Sequence, residues 1–583
     1  MLLLVSPGCD DSTEGSEADA GPVVYLLVDT NRDGVLSTDD DPGKGAWSAE
    51  RGAVFLANID DDDEDGDDDA SDDDVDGEAD ELDLARVEIT PWLEAPEGAH
   101  GTLEIDEAAG DRIRMFRQDG TAWSEVEAPI ALDAAALLAG TAFAIEGLGM
   151  MEDDEWDGRV TLTLTVHEAA AKAGEKPVAP ILVQSAVLRQ APMVIPWNTA
   201  PTLRVFVSDI NSFAGAPLIG AIDNATADVD IESFIIDALD PDYVFPDQWT
   251  QDFFEIGASY LPSEGGLHRM GVGIRLKPPQ GSGFFVDKEI YGPDYAAIYP
   301  FPNSYDPFLD GSSLDYGGNL EVVPPHDGYP VGRLLVGSTP ARHADPTFFA
   351  MLEAQYAQGP VLEPDTEWLI VGHIDEVVSF VADPSSPRGW RALLQAPREA
   401  WDLLQAAVNA DPAAADLVLF DNKAWIDFST GFPYSAERTI GQVLADADLA
   451  VAQDVAQARA DELREFLKDE VGLTDEDFVE LPLLWWTFAA SPSGGLRHVA
   501  YSPSVVNLLT FNGVAIVSSV FGPVQSGQDI LEQVTRQRLE ALGLDVRFVD
   551  VWDLYHRLDG GVHCGSNVDR TLPPEAAWWE MSR

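Results

Sequence analysis

Cys564 offers the clearest nucleophile in this chain. It stands in Val562-His563-Cys564-Gly565-Ser566-Asn567, and the other cysteine of the 583 residues is Cys9. Two cysteines make no disulfide framework. A thiolate is strongly nucleophilic, and neighbouring glycine lets backbone and substrate approach closely. A lone thiol is also an ordinary core hydrophobe, so its reading depends on its companions. One companion is the stretch Leu369-Ile370-Val371-Gly372-His373-Ile374-Asp375-Glu376. It reads as an apolar strand in which His373 and Asp375 point the same way, because strand side chains alternate. A hydrogen-bonded structural pair would have the same spacing. The other companion is Asp247-Gln248-Trp249-Thr250-Gln251-Asp252-Phe253-Phe254-Glu255, which sets the oxygens of Gln251, Asp252 and Glu255 among aromatic rings.

One cysteine, one histidine and two aspartates suit one reaction type. Two carboxylates grip a planar cation such as guanidinium through paired charge-assisted hydrogen bonds. A thiolate then attacks the electron-poor central carbon. A histidine protonates the departing ammonia and afterwards activates water. A cysteine protease is disfavoured, because its acyl substrate calls for oxyanion donors rather than carboxylates.

The chain that positions these groups is strongly acidic, with 104 Asp+Glu against 33 Lys+Arg and a net charge of −71. Nucleic-acid phosphate is excluded as a natural partner, while cations, Ca²⁺ above all, and basic substrates are favoured. A hydrophobic fraction of 45% with 15 Trp and 25 Phe is ample for large cores. The start, MLLLVSPGC, has the short apolar run and Gly-Cys end of a lipoprotein signal. Cys9 is then the expected lipid anchor, and residues 1–21 comprise this signal remnant and a polar tether. The expected location is extracytoplasmic, secreted or lipid-anchored at a bacterial cell envelope. Elsewhere no apolar run is long enough to span a bilayer.

Residues 22–192 read as short alternating strands separated by turn signals, an all-β sandwich. Asp29, Asn31 and Asp33 stand at alternate positions before Gly34, which is the first half of a calcium loop. Asn58, Asp60 and Asp62 end a neighbouring strand in similar fashion and open an acidic insert over 60–83. Such a run repels itself without cations, so these residues are expected to bind Ca²⁺; a solvated acidic insert is the alternative. Residues 193–583 mix strands with helices, the latter expected over 395–410 and 442–470.

These motifs, in this order, resemble the protein-arginine deiminase family from about residue 22 onward. The carriers are Trp249-x-Gln251-Asp252-x-x-Glu255-x-Gly257, Val371-Gly372-His373-x-Asp375-Glu376, and Val562-His563-Cys564-Gly565-x-Asn567. Further landmarks are Gly318-Asn319-Leu320-Glu321-Val322, Val506-Asn507 and Trp578-Trp579-x-Met581. The resemblance implies an α/β catalytic domain of the pentein type, a five-bladed α/β propeller, preceded by an immunoglobulin-like calcium-binding middle domain. It implies Cys564 as nucleophile, His373 as general acid and base, and Asp252 and Asp375 as guanidinium holders. Trp249 and Val371 would line the substrate's aliphatic stem. An active-site Ca²⁺ would take Gln251, Glu255 and Glu321 with the carbonyls of Gly317 and Leu320.

The family's second calcium site would fall at Phe253 and residues 275–280, which lack carboxylates, so its loss is expected. Gln280 stands where an arginine would grip the substrate backbone. The implied activity is calcium-dependent conversion of arginine in a protein or peptide to citrulline. Deimination of free arginine or another small guanidino compound, and an inactive calcium-binding surface module, are the alternatives. The sequence is silent on oligomeric state.

Overall fold

The computed structural model describes residues 24–61, 75, 77, 79–169, 179–239, 247–276, 282–301, 312–340, 343–427, 429–490, 496–574 and 576–581. Cys9 with the tether, Asp62 with most of the acidic run, and Gln280 lie outside the described residues.

Alternation builds the first unit. Along Arg159–His167, Val160, Leu162, Leu164 and Val166 are buried while the threonines between them are half-buried. That is the two-residue period of a strand with one face on a core. One five-stranded sheet runs in the order Leu26–Val28, Ala85–Ile89, Thr141–Gly147, Ile113–Asp119, Ala122–Glu125 and is antiparallel throughout. The other runs Ala53–Phe55, Leu182–Gln190, Arg159–His167, His100–Ile105, Ile130–Leu132, with its first pair parallel. Leu26, Val87 and Phe143 from one sheet meet Phe55, Leu162 and Leu188 from the other in a single core, which makes a sandwich.

Beyond it, among the described residues, one arrangement recurs five times: an antiparallel strand pair, a connection that includes helical turns, and a third segment parallel to the second strand. The first unit pairs Thr202–Asp209 with Ser566–Arg570 from near the chain's end, then adds helix Ala216–Asp228 and strand Glu232–Asp237. The second joins Phe254–Ser263, Gly266–Arg275 and Tyr295–Ile298. In the third, Leu320–Val323 and Arg333–Val336 are followed by helix Pro346–Ala354 and a parallel bridge from Leu335 to Leu362. The fourth has Val378–Ala382, Trp390–Gln395 and Phe478–Leu481. The fifth has Leu509–Phe511, Val514–Ser518, helix Ile530–Ala541 and Asp545–Val549.

Two sequence expectations need correction. The helix expected over 442–470 is two helices, Ile440–Leu444 and Ala447–Val471. The Asp446 side chain accepts from the amides of Asp448 and Leu449 and starts the second helix afresh. The stretch 369–376 is not a strand. Gly372 takes φ 94°, and the Glu376 carboxylate accepts from the amides of Gly372 (3.0 Å) and His373 (2.9 Å). This self-cap folds Ile374–Glu376 into a 3-10 turn, and the strand begins at Val378. His373 and Asp375 face one site because of that turn, not because of alternation. The helix Pro397–Ala410 lies where the sequence puts it.

Sandwich and repeated units share packing. Val54, Leu56 and Ile59 join Met193, Ile195, Ala258 and Met270 in one cluster. The Gln355 amide accepts from Met193 N (2.8 Å) and donates to Met151 O (2.6 Å) across this contact. Among the described residues no helix is long and apolar enough to cross a membrane.

Candidate active site

Each unit supplies the segment that enters its first strand. Cys564 precedes Ser566–Arg570, Asp252 precedes Phe254–Ser263, Gly318 precedes Leu320–Val323, Asp375 precedes Val378–Ala382 and Asn507 precedes Leu509–Phe511. Hydrogen bonds link these segments in a closed circuit. Gln251 N donates to Cys564 O (3.3 Å), and Gly318 N to Asp252 Oδ1 (3.2 Å). Ile374 N donates to Asn319 Oδ1 (3.2 Å), Asn507 Nδ2 to Asp375 Oδ2 (2.9 Å), and Cys564 N to Asn507 Oδ1 (3.3 Å). The candidate residues Cys564, Asp252, His373 and Asp375 all belong to or adjoin these linked segments.

Cys564 Sγ lies 3.4 Å from Asp375 Oδ2 and 3.2 Å from Asn507 Nδ2. Burial, then the charges of Asp375 and Asp252, push its thiol well above the ordinary range. Burial, with Asp375 next, likewise pushes Asp252 well above the carboxylate range. His373 Nδ1 is 3.7 Å from Asp252 Oδ1, and its Nε2 is 2.7 Å from the Ser313 carbonyl. Burial lowers its pKa, which keeps the ring neutral. A Cβ on Gly318 would stand 2.7 Å from His373 Nδ1, 2.9 Å from Asp252 Oδ1 and 3.2 Å from Asp375 Oδ2. Three polar groups therefore surround one point that only glycine leaves free.

Cys564, Asp252 and His373 open on a pocket of about 210 Å³ lined also by Trp249, Val371, Tyr316, Asp247, Glu376 and Asp559. Trp249 and Val371 are where the sequence puts them, on the wall. The sequence reading missed Tyr316, Gly318 and Asp559, and gave Asn507 no role. Gly560 packs on Trp249, since a Cβ there would come within 2.1 Å of the indole.

A second, smaller cavity of about 30 Å³ lies beside this cluster, lined by Gln251, Glu255, Leu320 and Glu321 together with Asn198, His563 and Arg570. Gly317 lies against Gln251, since a Cβ there would meet Gln251 O at 2.1 Å. Burial raises Glu255 to about 8 and Glu321 to about 7. Glu321 Oε1 is buried without a hydrogen bond. Two buried carboxylates and an amide oxygen are hard donors of the kind Ca²⁺ takes. Their present neighbour is His563, whose Nε2 is 3.6 Å from Glu321 and Nδ1 3.0 Å from Asp375. Burial opposes the His563 charge, but these carboxylates outweigh it and raise the ring to about 9.

The middle-domain residues are placed differently. Asp29 accepts from Asp33 N (3.1 Å) and Gly34 N (3.0 Å), and Asn31 Nδ2 donates to Asp33 Oδ2 (2.9 Å). Asn58 instead donates to Asp80 (3.3 Å) and Glu146 (3.2 Å), and Asp60 is buried nearby in sequence. Among the described residues no group of three or more His, Cys, Asp or Glu is arranged to hold a metal ion.

The site is thus a thiol held among carboxylates and a neutral histidine, a class of centre suited to guanidinium chemistry. The family model described as protein-arginine deiminase (PAD) matches residues 180–580. Protein-arginine deiminase type-4 of Mus musculus is 28% identical over 589 residues, covering 96% of this chain and 83% of the relative. The human type-4 protein is 30% identical over 450 residues, covering 75% of this chain and 62% of the relative. A solved agmatine deiminase of C. jejuni, at 14% identity and TM-score 0.33, covers 65% of this chain and 97% of its own. The chain belongs to the protein-arginine deiminase family, whose chemistry is hydrolysis of the guanidino group.

Proposed function

We propose that this chain is a calcium-dependent deiminase of peptidyl-arginine, forming citrulline and ammonia through a covalent intermediate on Cys564. The observation that carries the reading is the convergence of Cys564, Asp252 and His373 on one pocket, with Asp375 at 3.4 Å from the thiol.

In the free site the thiol is neutral, because burial and two carboxylates disfavour its anion. A guanidinium held by Asp252 and Asp375 cancels those charges, so the thiol ionises as substrate arrives and its proton passes to Nδ1 of His373. Sγ then bonds to the guanidinium carbon. The C–N bond breaks, the leaving nitrogen takes a proton from His373 and departs as ammonia, and a thiouronium remains on Cys564. Water, deprotonated by His373, adds to the same carbon; the C–S bond breaks and citrulline leaves. The Nε2 of His373 is engaged by the Ser313 carbonyl, so Nδ1 is the atom that exchanges protons.

Gln251, Glu255 and Glu321 would hold Ca²⁺ with the carbonyls of Gly317 and Leu320, and its charge would favour both carboxylates as anions. Gln251 adjoins Asp252, so a fixed Gln251 steadies the guanidinium holder. In the middle domain Asp29, Asn31, Asp33, Asn58 and Asp60 are the proposed further ligands, with Asp62. The five recurring units support the five-bladed pentein-type propeller, and the sandwich supports an immunoglobulin-like middle domain ending near residue 192. The MLLLVSPGC start supports an extracytoplasmic, Cys9-anchored protein; radiolabelled palmitate that fails to enter the full-length precursor in cells would refute the anchor.

Peptidyl-arginine is favoured over free arginine by the wall. Among its described lining residues the pocket has Asp247 and Asp559 and neither Lys nor Arg, so a free α-carboxylate meets like charge. The same wall supports a second reading, a guanidino amine such as agmatine. A colorimetric citrulline assay on a blocked peptidyl-arginine, with and without a calcium chelator, tests the proposal, and ureido-product formation from agmatine tests the second reading. Turnover of the blocked peptide that vanishes with chelator is expected; turnover of free arginine alone would overturn it. Cys564→Ala should yield no citrulline while keeping the circular dichroism of the parent. Thermal unfolding should shift upward with added Ca²⁺ in the parent and much less in a Glu255→Gln, Glu321→Gln double variant.

A further inference from the structure

Behind the catalytic turn lies a cavity that the reaction does not use. It holds about 190 Å³ and is lined by Trp368, Ile374, Val377, Leu463 and Phe466 together with Gln395. Its far wall is one face of helix Ala447–Val471, where Arg459, Glu462, Leu463 and Phe466 recur at helical spacing. Arg459 pairs there with Glu462 (2.7 Å) and Asp365 (3.5 Å), so its charge is already matched.

Gln395 ends the strand Trp390–Gln395 and is 1% exposed. Neither its amide nitrogen nor its amide oxygen has a hydrogen-bond partner. Buried polar groups are nearly always paired, so an amide bare at both ends on a cavity wall is an unfilled request for one donor and one acceptor side by side. A lactam edge supplies that pair, as adenine does for glutamine in nucleic-acid recognition. Trp368 and Phe466 add aromatic surface that favours a flat ring. The volume lies below the roughly 300–1,000 Å³ of drug-sized sites, which limits the occupant to about one ring system.

The position ties this cavity to the chemistry. Ile374 lines it, whereas its neighbour His373 lines the substrate pocket. We propose that this cavity binds a neutral, planar lactam ring of the nucleobase type, and that occupancy changes the setting of the His373–Asp375 turn.

The probe is 2-pyridone, with pyridine as the same ring lacking the lactam edge. Calorimetric titration of the full chain should show one saturable site for 2-pyridone and at least about tenfold weaker binding of pyridine. Gln395→Leu should abolish the difference between the two rings. Leu463→Trp, which fills the cavity from the helix, should remove binding while leaving citrulline formation measurable; it carries the test if Gln395→Leu does not fold. Saturating 2-pyridone should alter kcat with KM little changed. Equal affinity for both rings, binding that survives Leu463→Trp, or competition with the arginine peptide would overturn the site. Binding with kcat unmoved would overturn its link to the turn.

Discussion

Asn507 touches both halves of the nucleophilic pair. Its Nδ2 reaches Asp375 Oδ2 at 2.9 Å and Cys564 Sγ at 3.2 Å, and its Oδ1 accepts from Cys564 N at 3.3 Å. Asn507→Ala should therefore lower kcat by about 100-fold, with KM moving far less, because the thiol and carboxylate lose their common reference. An equal loss in both parameters would assign Asn507 to substrate binding instead. Gly318 acts by what it lacks. Gly318→Ala puts a methyl 2.7 Å from His373 Nδ1 and 2.9 Å from Asp252 Oδ1, and steady-state kinetics should show kcat/KM down by about 100-fold or more. The candidate quartet of Cys564, His373, Asp252 and Asp375 could be picked out in the sequence because each member stands in a distinctive motif. Asn507 and Gly318 stood in equally visible motifs, but their roles are a shared hydrogen bond and an empty volume. Neither can be seen before the segments meet.

At the scale of elements, the short turn His556–Leu558 has a measurable signature. His556 is buried between Trp552 (4.7 Å between ring centroids) and Trp425 (5.3 Å). Burial lowers its pKa from 6.5 to about 3. The folded state keeps the ring neutral while the unfolded chain takes a proton below about 6.5, so stability falls with more protons bound on unfolding. Its contribution is present above about 6.5 and is lost as pH falls toward about 3. Denaturant midpoints should drop between about pH 7 and about pH 5 in the parent, and drop less in His556→Phe. Strands with one buried face, such as Arg159–His167, were legible because alternation survives there. Thr141–Gly147 has almost every residue buried, with the charge of Glu146 enclosed beside Arg114, so both faces are covered and no alternation marks it. The turn at 371–376 hid for another reason: Glu376 folds back on its own segment, which an apolar run does not announce. The fivefold recurrence was invisible because the equivalent positions hold Cys564, Asp252, Gly318, Asp375 and Asn507, five residues with nothing in common but place.

At the scale of the molecule, the sandwich and the repeated units are joined by polar contacts as well as by apolar packing. Gln355→Leu would strip Met193 N and Met151 O of their partners. The expected cost is about 1–3 kcal/mol, seen by calorimetry as a lower transition temperature; an unchanged transition would mean that the contact bears no load. The acidic surplus of −71 sets no fold, but it keeps the surface hostile to anions and open to basic substrates. The circuit of strand-entry segments has an origin in time as well as in space. Synthesis runs from the N-terminus, and Cys564 follows the other four contributors along the chain. Until Ser566–Arg570 emerges, Thr202–Asp209 keeps a bare edge of the kind that recruits foreign strands. A nascent chain therefore carries the proposed guanidinium holders long before it carries the proposed nucleophile. On the proposed mechanism a chain cut short before Cys564 would hold no nucleophile, and a protease that clips ahead of Cys564 would remove it from a finished one.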